Sequence, residues 1–212
     1  MRRVTIALAA GLALLLLAIG VTLARSPMVV ARSNGTPLKE ERIATTFHGA
    51  TYCQGEELLP AGTTAIRLSL AAFTGPRVSV SVNARGRAIT GGMRGSGWTG
   101  RVVTIPLKAL ARAVPAATVC ASFQLHNEHI TVFGKTTPRT SAAYDGPHAL
   151  AGRMWIEYLR PGSRSWASLA PSTARRLGLG RVAAGTWNAL LVVELLAAIV
   201  ALASMLVVRE LP

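Results

Sequence analysis

The sequence predicts a mainly β protein: an extracytoplasmic antiparallel β-sandwich, jelly-roll-like or immunoglobulin-like, flanked by two transmembrane α-helices. Three observations predict it. Two long apolar runs lie towards opposite ends of the chain, Val4–Ala24 with no charge and Ala189–Val208 with Glu194 as its single charge. At about 1.5 Å of rise per residue each spans roughly 30 Å, the thickness of a bilayer's hydrocarbon core. Between them, hydrophobic residues recur at every second position in short stretches, the period of half-buried strands. Gly, Pro and Asn punctuate those stretches at intervals that suit a sandwich rather than a parallel sheet.

Residues 1–3 are read as a cytoplasmic N-terminus, because Met1-Arg2-Arg3 before an apolar run is the charged start of an export signal. Residues 4–24 exceed the usual length of a cleaved hydrophobic region and are expected to stay as a signal anchor; cleavage after Ala24 or Ala31 is the alternative. Residues 25–42, with Pro27, Asn34-Gly35 and Pro37, read as a linker. Residues 43–162 form the expected sandwich. Ile66, Leu68 and Leu70 share one face of a strand, and Val78, Val80 and Val82 alternate with serines on another. Gly91–Gly100 reads as a glycine-rich loop carrying Trp98, Arg101–Ile105 as a strand, and Leu107–Val114 as a helical turn or two. Thr118–Leu125 and His129–Phe133 read as a hairpin around Asn127-Glu128, and Met154–Leu159 as a last strand before Pro161-Gly162. Residues 163–186 mix Trp166 with Arg175, Arg176 and Arg181, the pattern of an interfacial amphipathic segment, with Pro171 in a helical first turn. Trp187 opens the second span, 187–208, as an interfacial aromatic residue, and 209–212 form a cytoplasmic tail.

Two cysteines, Cys53 and Cys120, fall in or beside strand-like segments without metal-ligand spacing. One disulfide in an oxidising compartment is expected, which places the middle domain outside the cytoplasm of a bacterial cell membrane. Arginines flank the spans on the domain side, but long loops translocate largely regardless of charge. The region 25–187 carries 20 Lys and Arg against 7 Asp and Glu. Such a surface attracts polyanions. Nucleic acid is excluded as a partner, because basic and aromatic residues are not interleaved and the compartment is wrong.

No catalytic residue stands out. Gly91–Gly97 lacks the ending of a phosphate loop, and Ser96 is in no nucleophile elbow. His126, Glu128 and His129 are the densest polar cluster, but they lack helical metal spacing and a further ligand, so neither metal nor cofactor is expected. With Trp98 they are the candidate ligand-binding residues; core burial is the expectation for Trp98 and a sugar-stacking platform the alternative. The membrane and partner contacts expected are Trp166, Arg175, Arg176, Arg181, Trp187 and Glu194, the last because a carboxylate inside a bilayer requires a partner or a proton.

Cys53-Gln-Gly-Glu-Glu-Leu-Leu-Pro60, Gly62–Arg67, Trp155-Ile-Glu-Tyr-Leu-Arg-Pro-Gly162 and Arg209-Glu-Leu together resemble uncharacterised two-span proteins of high-GC bacteria. The resemblance implies association with envelope-polysaccharide glycosyltransferases and transfers no catalytic residue. The function expected is a non-catalytic glycan-binding or accessory subunit in envelope polysaccharide assembly. Its partners would be the lipid bilayer, an envelope glycan or lipid-linked saccharide, and a membrane glycosyltransferase. The alternatives are a structural subunit docking a larger membrane enzyme through its spans, and a metal-assisted envelope hydrolase.

Overall fold

The computed structural model describes residues 2–35, 41–124, 128–176 and 194. It divides into two units, one of them Met28–Pro161 and the other Met1–Pro27 with Gly162–Pro212.

Met28–Pro161 is antiparallel throughout. Its strands are β1 (Met28–Ser33), β2 (Glu41–Thr46), β3 (Ala50–Leu59), β4 (Ala65–Gly75), β5 (Val78–Ala84), β6 (Arg87–Arg94), β7 (Trp98–Pro106), β8 (Val114–Phe123), β9 (Ile130–Thr136), β10 (Tyr144–Asp145), β11 (His148–Ala149), β12 (Gly152–Met154) and β13 (Ile156–Pro161). One sheet runs β1-β13-β4-β9-β12, with β2 on β9 and β7 on β4; the other runs β11-β10-β3-β8-β5-β6. Their inward residues meet in one core, in which Ile66, Leu68, Leu70, Ile105 and Tyr158 from the first sheet join Leu59, Val78, Val80, Val82 and Val119 from the second. The alternating valines of β5 pack inward with the serines outward, as their period requires.

Within the expected linker 25–42, residues 28–33 and 41–42 are instead strand. β1 pairs with β13, Val29 opposite Arg160, and β2 pairs with β9. Polar and Pro-bearing composition concealed these strands because both are short and mostly exposed. The expected hairpin of 118–125 with 129–133 is a crossover: β8 pairs with β3 and β5 in one layer, β9 with β2, β4 and β12 in the other. Leu107–Leu110 does not form a helical turn, because its backbone bonds elsewhere: Leu107 N–H donates to Thr64 O, Leu110 N–H to Thr63 O, and Gly62 N–H to Leu110 O. Gly91 and Gly92 are strand, not loop; a Cβ on Gly92 would collide with Pro106 O, so close strand approach explains that glycine.

The other unit holds α1 (Arg2–Ala24) and α2 (Trp166–Arg176). α1 is continuous, but its described side chains are Ile6 and those of 10–24. Among the described residues no helix is long and apolar enough to cross a membrane. The expected second span lies outside the described residues except for Glu194, which is helical and exposed. α2 begins earlier than expected, because Ser165 Oγ accepts the Ser168 N–H as a cap; Pro171 therefore sits inside the helix rather than in its first turn. Trp166 is half exposed, Arg175 and Arg176 fall in the last turn, and Arg181 and Trp187 lie outside the described residues.

A candidate binding cleft beside a strand bulge

β3 begins as a regular strand, with Tyr52 and Gln54 facing inward. Its register against β8 then slips: Gln54 lies opposite Val119 but Glu57 opposite Ala117, so three steps on β3 match two on β8. The extra residue is a β-bulge. Glu56 absorbs it at φ 57, a left-handed conformation that a residue with a Cβ rarely adopts, and is exposed. The slip inverts the parity of the strand, so that Glu57 turns inward, 1% exposed.

A buried carboxylate needs donors. Glu57 Oε1 accepts from Arg153 Nη2 at 2.7 Å and Asn34 Nδ2 at 2.8 Å, and Oε2 accepts from Tyr158 Oη at 2.7 Å. Burial, then the neighbouring Glu57 charge, raises the Tyr158 hydroxyl far above the ordinary tyrosine range, so it stays a neutral donor. Asn34 ties the network to the first sheet: its Nδ2 also reaches Met154 O and its Oδ1 accepts from Ile156 N–H. Gln54, equally buried, accepts from Met154 N–H and donates to Ser141 O.

The bulge forms one wall of a cleft of about 320 Å³. The 3-10 turn Arg139–Ser141 and the β10–β11 hairpin form the others. Tyr144 of that hairpin pairs with Cys53, so the wall is tied to the strand that carries the disulfide. Arg153 lines the cleft with Nη2 held on Glu57 and Nε buried without a partner among the described residues. Arg139 and Glu56 add an exposed cation and an exposed carboxylate. One fixed and one exposed guanidinium donor, a carboxylate acceptor, the Thr140 hydroxyl and the Tyr144 ring suit a polyhydroxyl ligand, whose ring edges alternate donors and acceptors. Ser141 Oγ donates to the Pro138 carbonyl, and the cleft holds no histidine to activate it.

Of the residues expected to bind ligand, Trp98, Glu128 and His129 lie elsewhere and do not line this cleft. Trp98 is core, 6% exposed, its indole against Gly75 and its Nε1–H donating to Pro76 O at 2.7 Å. His126 lies outside the described residues. Glu128 is occupied by backbone, accepting from Phe73 N–H at 2.8 Å and Thr74 N–H at 3.0 Å. His129 is exposed and its ring centroid lies 4.8 Å from that of Phe47. No group of three or more His, Cys, Asp or Glu among the described residues could hold a metal ion. The disulfide expected from Cys53 and Cys120 is present, joining directly opposed residues of β3 and β8.

Gln54, Glu57, Tyr144, Arg139 and Arg153 were not anticipated as site residues. The readable signal was the acidic pair Glu56-Glu57 between inward Tyr52 and Leu59, which no single period-2 register accommodates.

No family model matches the chain, and no curated protein matches it. The chain is similar to CsCBM6-3 from Clostridium stercorarium, solved in complex with cellobiose, at 9% identity and a TM-score of 0.28. The match covers 65% of this chain and 95% of that one. A likeness this slight carries no argument about function.

Proposed function

We propose that the protein is a membrane-anchored, extracytoplasmic, non-catalytic module that binds a glycan, serving as an accessory subunit in envelope polysaccharide assembly. The observation that carries this reading is Arg153: a cleft-lining guanidinium locked from behind by a carboxylate that a strained bulge has turned inward. A preformed planar donor of this kind loses little entropy on binding hydroxyl or carboxylate oxygens. The disulfide supports an oxidising compartment. The uncharged run Val4–Ala24, and the exposure of Leu14 to Leu17 along α1, support an anchor.

The test is calorimetry of the full chain in detergent against a panel of neutral and acidic oligosaccharides. Arg139→Ala should weaken the binding that is found by about tenfold, the worth of one charge-assisted hydrogen bond. Absence of binding across the panel, together with stoichiometric co-purification of a membrane enzyme, would instead favour a structural subunit.

A further inference from the structure

Between Glu57 and Glu128 the chain contains no Asp or Glu. Within that interval, the stretch from just before β5 to just before β8 carries Arg77, Arg85, Arg87, Arg94, Arg101, Lys108 and Arg112. All of them are exposed. The ion pairs among the described residues are Arg67–Glu157 and Arg153–Glu57, so none of these cations is neutralised by a neighbour there.

The fold arranges several of them along one edge. β6 is the outer strand of its sheet, with Arg87 at one end and Arg94 at the other, about 23 Å apart at the rise of a strand. Thr90, between them, donates to the Lys108 carbonyl and brings that residue's backbone beside the middle of the strand. At the hairpin tip, Ala84 pairs with Arg87 across a two-residue turn. Its central residues, Arg85 at φ 51 and Gly86 at φ 72, have the left-handed pair that such turns require. Asn, Asp or Gly takes the first of these positions without strain; here an arginine does, next to a second arginine. A backbone outlier held by a charged, exposed side chain marks a place where that side chain has a use.

We propose that the β5–β6 edge is a binding site for a linear polyanion, a polymer carrying carboxylate or phosphate groups, separate from the cleft. Charge complementarity along a line names the occupant: the cations follow a strand edge rather than a plane, as an extended chain needs and a flat bilayer does not. Ile89 and Met93, exposed between the arginines, offer apolar contact to the uncharged parts of the polymer.

The probe is polygalacturonate, a linear polycarboxylate, titrated into the full chain in neutral detergent, with dextran as the uncharged control. Binding should weaken steeply with added salt, and dextran should not bind. Arg87→Ser with Arg94→Ser should lose roughly fivefold per arginine, and Lys at both positions should retain most of the affinity. Arg85→Asn separates function from folding: it should bind about fivefold more weakly while melting at the same or a higher temperature. Unchanged affinity in the double serine variant, or equal binding of dextran, overturns the proposal. So does capture by phosphatidylglycerol vesicles without binding of the polymer, which would make lipid headgroups the target.

Discussion

Glu57 shows how one side chain can be decisive and yet unreadable from sequence. In a regular strand it would share the outer face with Cys53, and its acidity would fit solvent. The residue before it takes the extra step, and the carboxylate faces Arg153, Asn34 and Tyr158 instead. Glu57→Gln leaves the Arg153 charge half-buried without its partner, so the domain should lose about 3–5 kcal/mol, measured by urea unfolding. Glu56→Gly should do the reverse, adding up to about 1 kcal/mol by relieving the left-handed conformation. Tyr158 gives a pH signature. Its hydroxyl is raised above the unfolded-chain value near 10, so the folded state keeps a proton that the unfolded state releases. The stability it contributes is complete below about pH 10 and falls as pH rises beyond it. Tyr52 is also raised by burial, so Tyr158→Phe should flatten the alkaline decline in melting temperature without abolishing it. An equally steep decline in that variant would assign the whole effect elsewhere.

At the scale of elements, the legible strands were those with clean alternation. β5 with its valines, β4 with Ile66, Leu68 and Leu70, and β7 were all visible in the order of residues, and so was the pairing of Cys53 with Cys120. β1 and β2 were not, because edge strands need bury little and carry polar residues freely. The β8–β9 crossover was not, because two strands a few residues apart look alike whether they pair or part; only the layer each packs in decides, and that is a property of the core. The cleft was hidden for the same reason, since its walls come from β3, the 3-10 turn, the β10–β11 hairpin and β12. The disulfide joins β3 to β8 one turn of the pleat from the bulge, across a sequence separation of 67. Replacing both cysteines by Ser should lower stability by about 4 kcal/mol, read as the shift in urea midpoint against the oxidised protein. Gly134→Ala should also be severe, because its Cβ would meet the Arg153 carbonyl and push β12 off β9; lost saccharide binding in a folded variant would tie that pairing to the cleft.

At the scale of the molecule, the topology proposed from the sequence calls for reporter fusions. A fusion at Gly162 should score as extracytoplasmic and one at Pro212 as cytoplasmic; a cytoplasmic score at Gly162 would move the domain to the other side and leave its disulfide unexplained. The sheet order carries a further consequence, for how such a chain comes to be folded. β1 is the first strand of Met28–Pro161, and among the described residues it pairs with β13 alone, the last strand, with Met28 opposite Pro161. A nascent chain that has emerged through its first hundred residues already holds β3, β4 and β5, but nothing against which β1 can dock. The exposed Met28, Val29 and Val30 must wait until the final strand arrives. Closing this longest-range contact is therefore expected to come late in folding, because its loop-closure entropy is the largest, and until then the chain presents an unpaired apolar edge. A chaperone holding that edge, or an early partner strand, would find its opening in the interval between the synthesis of residue 33 and that of residue 161.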